Sequence, residues 1–276
     1  MGDEDEEPDL EEVTSSDVPT SPNDVADPQS IVEAKIPLDI RQKYELLSYR
    51  NAAIILSDSR RSEFNELLEA LRSFNISSEM IRKAGGNESD IPKFMAASLR
   101  PHSWYETIIQ GDLAVRLTWR EQIGMTKRGK PLFGTKSREI RRERYLDGHK
   151  IDFVKGRVAF DMEWNSKDQT FDRDLYAFNA FFMSGVLDVG VLVTRGQSLN
   201  PVLRELGPAL KKDGRPEYKT VKGKRVPRLT HEKYGASTTW WGKLIYRLNA
   251  GRNGACPVLA VEITPACITD WPKKKL

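Results

Sequence analysis

Residues 149–167 read HKIDFVKGRVAFDMEWNSK. β-Branched and aromatic residues flank Gly156, and a glycine supplies the positive φ that a tight turn needs, so the stretch predicts two strands joined at Lys155-Gly156. Strand side chains alternate, which puts Asp161, Glu163, Asn165 and Lys167 on one face and Phe160, Met162 and Trp164 on the other. A two-residue turn at Lys155-Gly156 sets Asp152 opposite Ala159, on the face of Asp161 and Glu163. It also leaves Asp152 about 13 Å along the strand from Glu163, so a longer or bulged turn is required if the two share a metal ion. Clustered carboxylates on one strand face repel each other, and a bound Mg²⁺ with a phosphate substrate is the usual compensation. An ordinary amphipathic hairpin with an exposed acidic face has the same pattern, so the rest of the chain must decide.

The chain has 276 residues, 39% of them hydrophobic, enough for one large or two small domains with a real core. Its net charge of +3 hides a division: residues 1–30 hold eleven Asp and Glu and no Lys or Arg, so the remainder carries +14. A body that basic favours a polyanionic partner. Residues 1–30 are expected to be a disordered acidic tail, either a competitor of DNA for the basic body or a solubilising extension. Cys256 and Cys267 lack metal-ligand spacing and read as buried free thiols of a reducing compartment. No apolar run approaches a membrane span and the amino terminus is acidic, which predicts a cytoplasmic protein without membrane contact.

From residue 39 to 74 the apolar positions recur at helical spacing, predicting two helices broken near Ser57 and Asp58. A short helix ending at Gly85-Gly86 and a second from about Ser89 towards Glu106 follow. Residues 114–119 suggest a short strand. Residues 127–150 hold nine Lys and Arg, and this basic run reads either as a phosphate-contacting segment or as a solvated loop. Residues 170–182 place Leu175, Phe178, Phe181 and Phe182 on one helical face, with Arg173 off it and free to point at a ligand. Residues 186–194 form a nearly continuous apolar run, the mark of a strand buried on both sides. Strand, helix, strand in this order predicts an α/β fold, a mixed β-sheet flanked by helices. Residues 211–233 read as a basic loop, residues 237–248 as a capped helix and residues 257–263 as a last strand.

Taken together, IDF at 151–153, DMEWN at 161–165, TFDRDL at 170–175 and VGVLVTR at 189–195 resemble the BglII-like type II restriction endonucleases. GGNES at 85–89, WYE at 104–106, STT at 237–239 and CPVL at 256–259 extend the resemblance across most of residues 45–265. That family is similar to the wider PD-(D/E)xK nucleases, which put an Asp on one strand and Glu-x-Lys on the next. The resemblance implies a restriction-endonuclease-like core at about 111–276, a helical part at about 39–110, and one nuclease domain over residues 31–276. It implies that Asp152 and Glu163 ligate Mg²⁺, that Asn165 stands in place of the lysine, and that Glu106 reaches in from its helix as a third acid.

An amide orients water but is neither a cation nor a base near neutral pH. Lys167 shares the face but lies about 13 Å from Glu163, against about 7 Å for Asn165, so Asn165 ranks first. Lys167, Asp168, Arg173, Arg195, Gln197, Ser198 and Asn200 are expected to contact the bases of the DNA. The expected activity is Mg²⁺-dependent, sequence-specific cleavage of double-stranded DNA by a homodimer. A structure-specific repair or junction nuclease and a non-catalytic DNA-binding protein are the competing readings.

Overall fold

A strand whose side chains are apolar on both faces must be covered on both faces, and the chain supplies the covers in sequence order. The structure is a computed structural model that describes residues 25–83 and 89–271. The acidic tail up to residue 24 and the Gly85-Gly86 helix end lie outside the described residues. The first part of the chain forms α1 (Gln29–Lys35), α2 (Leu38–Lys43), β1 (Tyr44–Tyr49), α3 (Ala52–Ile54, running into a π-helical turn at Ile55–Ser59), α4 (Arg61–Ser73), α5 (Ser78–Lys83) and α6 (Asp90–Leu99). Then come β2 (Tyr105–Met125), β3 (Pro131–Lys155), β4 (Val158–Glu163), α7 (Thr170–Met183), β5 (Val189–Arg195) and α8 (Asn200–Glu205). The last elements are β6 (Tyr218–Val221), β7 (Lys224–Pro227), α9 (Trp241–Asn249) and β8 (Val258–Ile263). Among the described residues no helix is long and apolar enough to cross a membrane.

The main sheet has six strands in the order β1-β8-β5-β4-β3-β2. β4, β5 and β8 are parallel, while β1 pairs antiparallel to β8 and β3 antiparallel to β4. The mixed sheet flanked by helices is therefore as expected, with β4-α7-β5 as its parallel crossover. Every residue of β4, β5 and β8 is buried. On one face Phe160, Met162, Val191, Val193 and Val261 join a core with Phe64, Leu67, Leu71 and Met95 of α4 and α6. Against the other face lie α7 and α9, with Phe171, Leu175, Phe178, Leu244 and Leu248 buried. Gly190 of β5 lets α7 come close, since a Cβ there would meet a ring carbon of Phe178 at 2.2 Å.

Several expected elements differ. Tyr44–Tyr49 is a strand rather than part of a helix, because pairing along β8 buries Tyr44, Leu46, Leu47 and Tyr49 at once; tertiary pairing overrides a locally helical spacing. Asp58 does not cap the next helix and instead pairs with Lys35 at 2.7 Å. The helix predicted to run towards Glu106 stops at Leu99, and Glu106 sits exposed on β2. Ahead of residue 31, Ala26 bridges to Tyr49, Asp27 N–H donates to Ser48 O, and the Asp27 carboxylate accepts from Asn51 N–H. The basic stretch at 211–233 contains the hairpin β6-β7, turned at Lys222 and Gly223, both with positive φ, as a tight primed turn requires.

The described residues divide into two compact units, residues up to 107 with 151–276, and residues 108–150. The second unit is a long hairpin of β2 and β3, so the basic run at 127–150 is a turn and a strand rather than a loop. Thr126 N–H donates to Lys130 O (2.8 Å) at its turn, and Arg116–Glu139 and Arg141–Asp112 pair between its strands.

The close seat of α7 gives a direct test. Gly190→Ala should destabilise the protein by about 1–3 kcal/mol, the range for overpacking a filled core, read as a lowered denaturant midpoint; an unchanged midpoint would contradict this packing.

Candidate active site

The hairpin of β3 and β4 is in a register that the sequence left open. Phe153 pairs with Phe160, Val154 with Ala159 and Lys155 with Val158, so the turn is Gly156-Arg157 and not Lys155-Gly156. Gly156 has φ +55°, which a glycine adopts without strain. One step beyond the last of these pairs, the same register sets Asp152 against Asp161, and Asp152 N–H donates to Asp161 Oδ1 at 2.6 Å. Glu163 is then only two residues further along, about 7 Å of strand rise instead of about 13 Å. In that register Asp152 and Glu163 share a face.

A further acid comes from α7. Asp174 is 3% exposed, alongside Asp161 at 3% and Glu163 at 6%. Asp161 Oδ2, Glu163 Oε2 and Asp174 Oδ2 are all buried without a hydrogen-bond partner. The sequence reading passed over Asp174, although it carried a signal: Asp174 lies three residues after Phe171 and four before Phe178, an acid set into the apolar stripe of the helix.

Burial pushes the Glu163 carboxyl up to about 7; the Ser166 hydrogen bond opposes this, Asp152 adds to it and Arg173 opposes it. Burial also raises Asp174 to about 8, reinforced by Glu163 and countered by Arg173. Asp161 is raised well above the carboxylate range by burial and by the charges of Asp174 and Asp152, against the Asp152 N–H bond. Arg173 reaches Asp174 Oδ1 at 3.3 Å from an exposed position. Four acids, one cation and three unsatisfied oxygens make a hard-donor site of the kind a divalent cation satisfies. Among the described residues no three His, Cys, Asp or Glu side chains are already placed around a metal position. The carboxylates present suit a divalent cation held by one or two of them, its other positions left for water and phosphate oxygens.

The other expected site residues fall in different places. β4 ends at Glu163, so strand alternation no longer aims Asn165: its amide nitrogen donates to Lys233 O (3.0 Å) and its Oδ1 is buried without a partner. Lys167 is exposed and bridges through its backbone to Thr238. Asp168 pairs with Lys243 (3.4 Å) and Arg247 (3.7 Å) of α9, an internal tie. Gln197 and Ser198 form the turn after β5, where Ser198 Oγ–H donates to Glu262 Oε1 (3.2 Å). Asn200 opens α8. Arg195 is 2% exposed and its Nη2–H donates to Thr238 Oγ1 (2.7 Å).

Comparison with known proteins agrees with this architecture. No curated protein matches the chain. A family described as Restriction endonuclease BglII/BglIII matches residues 44–263, from the first residue of β1 to the last of β8. That span contains the whole carboxylate cluster. Enzymes of this kind cleave DNA at specific sequences within restriction-modification systems and generally use divalent metal ions. With most of its length matched, the chain belongs to the BglII/BglIII restriction endonuclease family and is a type II endodeoxyribonuclease.

Proposed function

We propose that the nuclease is Mg²⁺-dependent and that Asp152 and Glu163 hold the metal beside the scissile phosphodiester of double-stranded DNA. The observation that carries this reading is the buried cluster of carboxylates with unsatisfied oxygens at Asp161, Glu163 and Asp174. A bound Mg²⁺ would supply a water of lowered pKa and offset charge on the phosphate. Asp161 acts on the hairpin, accepting the Asp152 N–H and so fixing Asp152 relative to Glu163. Asp174 shares the burden of negative charge with Glu163, and Arg173 partly neutralises both. Glu106 and Asn165 are the positions proposed to orient the attacking water, with Lys167 the alternative to Asn165.

Lys167, Arg173, Gln197 and Asn200 follow the carboxyl ends of β4 and β5, the end of an open α/β sheet where ligands bind, which supports DNA contact there. Asp168, half-buried and paired with Lys243, and Ser198, exposed with its Oγ–H donated to Glu262, stand beside them and are proposed to contact DNA as well. Residues 31–276 act as one nuclease domain that includes the 108–150 hairpin. Palindromic sites match two-fold symmetric proteins, and on that argument the enzyme works as a homodimer. Cys256 and Cys267 are buried free thiols, which supports a cytoplasmic setting.

Plasmid cleavage in Mg²⁺ tests the assignment. Asp152→Ala and Glu163→Ala should each lose activity by about 10²–10³-fold or more, the scale for removing a charge-stabilising group. Asn165→Ala should fall by about tenfold, the rate equivalent of one hydrogen bond. Full cutting by both acid variants would overturn the site.

The electrostatics give a separate prediction for the metal-free protein. Glu163 and Asp174 titrate at about 7 and about 8 when folded, against about 4 for free carboxyls. The folded state therefore holds protons that the unfolded state has released. The contribution of these two groups is full below about pH 4 and is lost as pH rises through 7 to 8. Without metal, Tm should be lower at pH 8.5 than at pH 5.5, and Glu163→Gln should raise it at pH 8.5 by about 2–4 °C per kcal/mol recovered. A Tm indifferent to pH, with Glu163→Gln destabilising, would contradict the cluster.

A further inference from the structure

A second set of unmatched polar atoms lies on the opposite face of the sheet. Arg195 ends β5 and directly follows Thr194, the strand partner of Glu163, so its side chain turns away from the carboxylates. Its guanidinium stacks on the Tyr234 ring at 5.3 Å, while its Nε–H is buried without a partner. Among the described residues no carboxylate is within ion-pair distance of it, and burial draws its pKa down to about 10. A buried cation without a counter-ion is costly to keep. Arg195 lines a cavity of about 740 Å³ together with Arg204 and His231, and His231 Nδ1 is likewise buried and unpartnered. The acids of this wall are already neutralised, Glu217 by Arg228 (2.9 Å) and Lys233 (2.8 Å), and Glu232 by Lys219 (2.5 Å). Among the described residues no carboxylate pairs with Arg195 or Arg204.

We propose that this cavity is a phosphate-binding site with Arg195 as its principal donor, and that it receives a backbone phosphate of the DNA substrate. The second half of this inference rests on the nuclease reading above. A guanidinium buried this deeply cannot reach a base edge in a groove, so the expected base contact by Arg195 gives way to a phosphate contact, for which a fork of N–H donors is suited. The position favours the DNA backbone over a free phosphate ester. Glu163 and Arg195 end adjacent strands about 4.8 Å apart, so the cavity and the carboxylates flank the same sheet end.

The chain has three histidines, His102, His149 and His231, so imidazole NMR signals resolve the site. Titrating the wild-type protein with inorganic phosphate should shift the His231 signals saturably and leave the other two unmoved, and Arg195→Gln should abolish the shift. In binding of uncleaved duplex without Mg²⁺, Arg195→Gln should reduce the slope of log K against log salt by about one unit. Arg204→Gln, an exposed change in the same wall, should reduce it in the same direction and serves if the buried variant fails to fold. No His231 shift in the wild type would overturn the site. A phosphate-dependent shift with an unchanged salt slope would overturn the DNA-backbone assignment. Failure of the nuclease reading would show separately, as absent plasmid cleavage with the phosphate titration intact.

Discussion

Negative charge forced together in a dry interior is the constraint on which the rest of the structure depends. Asp161, Glu163 and Asp174 sit between a sheet buried on both faces and the helix laid over it. The packing relieves them only in part: Arg173 reaches Asp174 from an exposed position, and among the described residues three carboxylate oxygens have no donor. Apolar side chains of the same volume would fill the space at lower cost. The cluster is therefore a functional expense carried by the surrounding core, a common condition of sites that bind ions and polyanions.

The scaffold holds these groups by backbone geometry more than by side-chain contacts. Asp152 is set by its own N–H bond to Asp161, and Glu163 by the pairing of β4 with β5, where Thr194 Oγ–H donates to the Glu163 carbonyl at 2.7 Å. Asp174 arrives because Gly190 leaves room for Phe178 and lets α7 approach the sheet. The start of α7 is then tied to α9 by charge. Asp172 pairs with Arg247 (2.9 Å) and Arg252, and Asp168 with Lys243 and Arg247. Arg247 is itself buried, so its pairs are better placed to fix orientation than exposed ones. Residues that follow β4 directly and look available for DNA thus divide into those that build the site and those that can reach out from it.

Much of this was legible in the sequence, and the failures have physical reasons. Period-two alternation put Asp152, Asp161 and Glu163 on one face, and that parity survives any even-length turn. It could not choose between two registers, because Gly156 supplies positive φ at either turn position. Asn165 was misplaced because alternation holds only while a strand lasts, and this strand stops two residues earlier. β1 was hidden because Leu46 and Leu47 carry helical spacing, while the pairing that makes them a strand comes from residues more than two hundred positions later. Asp174 was visible as a charge inside an apolar stripe, a feature as informative as the stripe itself. Arg195 looked like a surface contact because sequence cannot report that a loop and a hairpin close over it.

On the proposed assignment these carboxylates stay partly protonated until a divalent cation takes the place of their protons. Calorimetric titration of Mg²⁺ into the protein at pH 7, in buffers of different ionisation enthalpy, measures that exchange directly. With Glu163 at about 7 and Asp174 at about 8, binding should release on the order of one proton per site, and the release should fall in Glu163→Gln, which keeps only the proton of Asp174 to give up. Binding with no proton release, or with the same release in that variant, would contradict the account.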